Sequence, residues 1–253
     1  MPIELDGFEE FTFDTDRSDR VGGGTRTVYR RGKGPAVVVI HELPGMTPEC
    51  VDLGRRLADE GFAVYMPLMF GEPMKDYGST PILWRCVWKE FNLLRAQAKS
   101  PAVDWLRALA RQAHAEQGGR GVGAIGMCLT GGYALSMMLD AELIAPVLSQ
   151  PSMPIAPWNK AALGLTAEEL RNAVDRSRQE NIPVLGFKFE GDPLCPNERF
   201  ATLKATFGER FRPMVLPGKK HSVLTKNFTD MSPADQKRVW DALIAFLNER
   251  LKG

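Results

Sequence analysis

The chain has 253 residues, 44% of them hydrophobic and 25% charged; this is ordinary globular usage and excludes disordered, collagen-like and coiled-coil chains. Its 32 Lys and Arg balance 31 Asp and Glu, for a net charge of +1, so no excess of either sign directs it to nucleic acid or to a membrane surface. At this length a core forms without staples, and the cysteines, Cys50, Cys86, Cys128 and Cys195, include no CxxC pair and read as reduced thiols of a cytoplasmic protein with no metal and no cofactor.

Residues 1–34 are polar and Gly-rich and are expected to form short antiparallel strands or a hairpin. Met1-Pro2-Ile3-Glu4 has neither the basic start nor the apolar run of a secretion leader. The β-branched run Ala36–Ile40 suits a strand buried on both faces. Thr47-Pro48 caps a helix along which Val51, Leu53, Leu57 and Ala58 recur, and Gly61 ends it. Phe62–Met66 is the next strand, so 36–67 reads as a βαβ unit with parallel strands. Residues 69–81 read as loop, and about 82–98 as a helix carrying Trp84, Trp88 and Phe91.

A helix from Pro101 to about Ala115 follows, then a strand at 122–125, a helix at 133–139 and a strand at 143–148. Residues 150–182 read as an insertion. Pro151, Pro154 and Pro157 mark a loop, and Thr166 with Glu169 forms a capping box for a helix ending near Gln179. Strand 183–190, helix 200–207, strand 211–216 and an amphipathic helix from Ser232 complete the chain. Strands alternating with helices over some 200 residues predict one doubly wound, mostly parallel α/β domain spanning 1–253.

Gly126-Met127-Cys128-Leu129-Thr130-Gly131-Gly132 lies between a strand and a helix, where a nucleophile elbow belongs. Such a turn needs small neighbours around a strained central residue, here Cys128. Gly126 and Gly131 supply them, whereas Thr130 is larger than the usual Gly. The helix start favours an anionic sulfur, and the Leu129 N–H faces the reacting carbonyl as an oxyanion donor. Strand 183–190 runs into Asp192, and strand 211–216 runs towards His221. Nucleophile, acid and histidine thus come in α/β-hydrolase order at the ligand-binding edge of the sheet. The loop after the first buried strand, His41-Glu42-Leu43, offers the Leu43 N–H as a second oxyanion donor and places a carboxylate, Glu42, beside the nucleophile. His41 reads as a structural hydrogen-bonder and His114 as a surface residue.

Together, His41-Glu42-Leu43-Pro44-Gly45, the Cys128 elbow, Glu190-Gly191-Asp192 and Gly218-Lys219-Lys220-His221-Ser222 resemble the dienelactone hydrolase family over about residues 36–250. The resemblance implies an α/β-hydrolase fold and a small ester or lactone as substrate. It implies Cys128 as nucleophile, His221 as base, Asp192 as its orienting acid and Glu42 as partner of the resting thiol, with Leu43 and Leu129 as oxyanion donors. Family members grip a carboxylated enol-lactone with arginines. The matching positions here are Thr225 and, aligned on Trp88 and Phe91, Pro81; Arg85 lies nearby as a substitute and Ser222 as a polar substrate contact. These departures leave the substrate open, and the sequence does not give the oligomeric state. A thioesterase or amidase could use the same groups. A ligand binder or a redox sensor built on Cys128 would use neither Asp192 nor an oxyanion loop.

Overall fold

The computed structural model describes residues 5–15, 24–43, 45–75, 100–152 and 160–253. The expected helix over 82–98 with Arg85, the Pro81 position, Cys86, and Pro154 and Pro157 lie outside the described residues.

Eight strands form one sheet: β1 Glu9–Phe13, β2 Arg26–Arg31, β3 Ala36–Ile40, β4 Ala63–Pro67, β5 Val122–Met127, β6 Leu143–Ser149, β7 Val184–Phe189 and β8 Phe211–Leu216. Their order is β1-β2-β4-β3-β5-β6-β7-β8. The Gly-rich start supplies the antiparallel part: β1 pairs with β2, and β2 with β4. From β4 to β8 every pairing is parallel. All the catalytic candidates therefore follow carboxyl ends of parallel strands, and those ends lie along one edge.

The helices are α1 Pro48–Asp59, α2 Pro101–Gln117, α3 Gly131–Ser136, α4 Ala167–Gln179, α5 Asn197–Phe207 and α6 Pro233–Leu251. Val37 and Val39 of β3 face α1 and α6, in a core with Leu53, Leu57, Leu243 and Leu247. Val38 and Ile40 face the other way, into a core with Leu106 and Leu109 of α2. Both faces of the strand are covered, which is why its sequence is continuously apolar rather than alternating. Burying each such side chain contributes about 1.5–3 kcal/mol.

The helix signals act as expected. Thr47 accepts from Cys50 N and caps α1. Gly61, at φ +81°, ends it in a conformation that only glycine adopts freely. The Thr166–Glu169 capping box opens α4, with Glu169 N donating to Thr166 Oγ1 and Thr166 N to Glu169 Oε2. Two helices start earlier than their apolar stripes. α5 begins at Asn197 because its first turn is polar, and α3 begins at Gly131, after a single 3-10 turn over Cys128–Thr130. Among the described residues no helix is long and apolar enough to cross a membrane.

Candidate active site

β5 ends at Met127, and the chain turns sharply at Cys128, whose φ is +53°. A left-handed cysteine is strained, and it persists only where the surroundings dictate it. The glycines show how. A Cβ on Gly126 would lie 2.2 Å from the Thr130 carbonyl oxygen, and one on Gly131 2.7 Å from Pro151 Cβ. Thr130, oversized for the usual elbow, has a use: Met127 N donates to its Oγ1 at 2.9 Å, and its hydroxyl reaches the Ile40 carbonyl at 3.0 Å. The hydroxyl thereby ties the elbow to the end of β3. Leu129 N–H sits in the first turn after the nucleophile, where helix donors lack intrahelical acceptors.

The acid follows β7. Asp192 is 3% exposed, and its Oδ1 accepts from Leu194 N at 2.8 Å and Cys195 N at 3.2 Å. Its Oδ2 is left for His221, whose Nδ1 lies 2.7 Å away. The two loops are packed together: Gly191 N donates to Gly218 O at 2.8 Å, and a Cβ on Gly191 would press on Lys219. His221 and Ser222 are braced from below by Asn227 Oδ1, which accepts from both backbone N–H groups.

A ring nitrogen of His221, Sγ of Cys128 and a carboxylate oxygen of Glu42 all lie within 4.8 Å of one another. Among the described residues they are the one such set whose donor atoms could converge on a metal ion. With Nδ1 committed to Asp192, Nε2 of His221 is buried and has no partner other than Cys128. Burial pulls the imidazolium down, but the hydrogen bonds to Asp192 and Cys128 and their charges outweigh it, and His221 is pushed up to about 10. Burial pushes the Glu42 carboxyl up against the pull of Thr225, His221, Ser222 and Gln150.

Glu42 is 4% exposed, and its partners are elsewhere than the thiol. Gln150 Nε2 donates to its Oε2 at 3.1 Å, Ser222 Oγ to the same oxygen at 3.0 Å, and Thr225 Oγ1 to Oε1. No hydrogen bond joins it to Cys128. Ser222, expected as a substrate contact, is thus engaged with Glu42, as is Thr225 at the family's arginine position. Leu43 follows Glu42 in a turn closed by Gly45 N donating to Glu42 O at 2.9 Å. His41 is a structural hydrogen-bonder: its Nε2 accepts from Met69 N at 3.0 Å, so Nδ1 carries the proton and donates to Glu42 O at 3.1 Å. Burial lowers it to about 4 and keeps it neutral. His114 is half-buried near the end of α2 and bonded to Gly119 O.

Three buried polar residues escaped the sequence reading. Gln150 is fully buried at the end of β6. Lys188 lies inside β7, fully buried, with Nζ on Cys195 O at 2.6 Å and Asn197 Oδ1 at 2.7 Å, which holds the loop behind Asp192. Arg199 reaches the carbonyls of Ala162, Pro151 and Leu194 and clamps the segment after β6 to that same loop. Charged residues on α5 or within a strand carry no local sign of such partners.

The fold is shared by solved structures. A candidate dienelactone hydrolase from Klebsiella pneumoniae is 20% identical with a TM-score of 0.66, covering 95% of this chain and 98% of that one. A dienelactone hydrolase-like promiscuous phosphotriesterase from metagenomic libraries is 21% identical with a TM-score of 0.62, covering 97% and 99%. A cold-adapted esterase from an Arctic intertidal metagenomic library is 18% identical with a TM-score of 0.63, covering 98% and 96%. At these identities the likeness concerns the α/β-hydrolase fold alone. No curated protein matches the chain in sequence. The family model for the dienelactone hydrolase family matches residues 25–251, and the strained Cys128 turn, the Asp192–His221 pair and the Glu42 loop all fall within that span, so the chain belongs to the dienelactone hydrolase family.

Proposed function

We propose that this member of a hydrolase family cleaves a small ester or lactone through a Cys128 thioester, with His221 as base and then acid and Asp192 as the group that orients it. The observation that carries the reading is the Asp192–His221 contact at 2.7 Å. It fixes the tautomer that leaves Nε2 facing a left-handed Cys128 with no other hydrogen bond. A redox sensor gains nothing from that arrangement.

The steps balance on these groups alone. The S–H bond breaks, its proton passes to Nε2, and sulfur keeps the electron pair. Sulfur attacks the acyl carbon, and the carbonyl π pair moves to oxygen, which the Leu43 and Leu129 N–H groups receive. The intermediate collapses to a thioester, and the imidazolium protonates the departing alkoxide. Neutral His221 then takes a proton from water, the resulting hydroxide attacks the thioester, and the carboxylic acid leaves as sulfur regains its pair and then its proton. Asp192 holds the ring and stabilises the imidazolium throughout. Donation by Ser222 and Thr225 to Glu42 supports a substrate gripped differently from the family's carboxylated lactone.

Hydrolysis of p-nitrophenyl acetate tests the reading. We expect a burst of one nitrophenolate per chain followed by slower turnover, and Cys128→Ala should lose both phases. Full turnover by Cys128→Ala would move the chemistry to another group.

A further inference from the structure

We propose that Gln150 and Thr225 are positioning residues that pin the Glu42 carboxylate to the wall of the site, so that the resting Cys128 thiol gives its proton to His221 rather than to Glu42. The inference rests on the reading that Cys128 is the nucleophile.

Gln150 first declares itself through its backbone. It is one of four non-glycine residues with positive φ among the described residues, at +34°, and with Cys128 it is one of two at the site. Strain of this kind collects where function holds it. Here the hold is visible. Gln150 N donates to Phe187 O at 2.6 Å, and Gln150 O accepts from Ser152 Oγ at 3.0 Å. Its side-chain oxygen accepts from Val223 N at 3.1 Å and from Ser149 Oγ. A backbone N–H cannot be an acceptor, so the amide orientation is settled, and its NH2 must point at Glu42 Oε2.

Ser222 adds a second donor to Oε2, which leaves no ready lone pair there for a proton. Oε1 is held by Thr225. The titratable groups facing Glu42 are Cys128, His221 and, from α1, Cys50, whose thiol burial pushes far up. Three amide and hydroxyl donors already stabilise the Glu42 charge, and the Cys128 thiol could add only a weak S–H donor to it in competition with Thr225 at Oε1. His221 Nε2 has no partner other than Cys128. The S–H bond therefore breaks towards Nε2, the pair stays on sulfur, and Glu42 stands by as a charge fixed near the imidazolium. Ser222, Val223 and Thr225 lie within four residues of His221, so one loop both carries the base and pins the acid.

The test is alkylation of resting Cys128 by iodoacetamide, read on its peptide by mass spectrometry between pH 5 and 9, on the full chain without substrate. Wild type and Glu42→Gln should alkylate at equal rates within about twofold. Thr225→Val, which keeps the shape and removes the hydroxyl, frees Oε1 for the thiol. It should slow alkylation at pH 7 about tenfold and move the profile about one pH unit upward, the scale of one charged hydrogen bond, lowering kcat more than KM. Thr225→Ser should restore wild-type behaviour. Gln150→Met should act as Thr225→Val does. If that variant fails to fold by circular dichroism, Gln150→Asn, whose amide is one methylene short, takes its place. Faster alkylation of Glu42→Gln than of wild type would overturn the proposal, and so would a Thr225→Val profile unchanged from wild type. Rapid, pH-dependent labelling with no acyl adduct from an ester would break the hydrolase reading and leave the pinning intact.

Discussion

Cys128 and Gln150 are both left-handed, both buried and both at carboxyl ends of neighbouring strands, yet only one is visible in the sequence. The Cys128 turn crowds its own neighbours, so it demands Gly126 and Gly131, and that demand is written within five residues of the strain. Gln150 turns in a gap shaped by distant chain. Its carbonyl partner Phe187, its amide partner Val223 and its target Glu42 are 37, 73 and 108 positions away. The two turns even share a seam, since Ser152 N donates to Cys128 O at 2.8 Å and Pro151 occupies the space that Gly131 leaves open. A strain relieved by local smallness leaves a motif. A strain held by remote hydrogen bonds leaves none.

The comparison can be pressed hardest at the nucleophile. Cys128→Ala should lower kcat by about 10⁴-fold or more, since single removals from a working triad cost about as much as removing all of it. Steady-state hydrolysis of an activated ester measures it, and a loss under tenfold would reduce Cys128 to a buried turn residue. Asp192→Asn should fold normally and lose about 10³–10⁴-fold, because the wrong histidine tautomer then faces the sulfur. Near-full activity would detach the acid from the mechanism.

Smaller effects separate backbone room from side-chain hold. Gly126→Ala places a methyl against the Thr130 carbonyl, and the backbone cannot swing aside. Overpacking of this kind costs about 1–3 kcal/mol, so thermal denaturation should show a fall of about 3–10 °C for a chain of this size. An unchanged Tm would mean that the elbow has slack.

Glu42 gives the smallest effect, with a definite sign. Its folded-state value lies above its ordinary 4.5 because burial penalises the charge. The stability it contributes is thus fully present below that value and lost as pH rises through the folded one. Relative to wild type, Glu42→Gln should melt higher at pH 8 than at pH 4.5, with the difference shrinking as the pH falls towards 4.5. A gain that grows on acidification would reverse the assignment.

Most of the fold was legible because its signals are local. A run of β-branched residues marks β3, and Thr47-Pro48, Gly61 and the Thr166–Glu169 pair mark helix ends. The triad candidates were legible as well, since a strand ending in a loop with a Cys, an Asp or a His needs only topology to bring the three together. What could not be read was which donors surround Glu42. Ser222 was expected to face substrate, and Thr225 registered only as a missing arginine. Their bonds to Glu42 depend on how the loop after β8 folds back over the end of β3. Lys188 was equally hidden, since a lysine within an apolar strand reveals its acceptors only when the loop after β7 is in place.

The most direct measurement of the central claim is the site of acylation. The chain is mixed with p-nitrophenyl acetate, quenched in acid within the burst, digested and mapped by mass spectrometry. One acetyl group is expected on the peptide that holds Cys128, retained longer in Asp192→Asn because deacylation also needs His221 correctly held. An acetyl group on Cys50, Cys86 or Cys195, or a burst with no acetyl group on any cysteine, would contradict that claim.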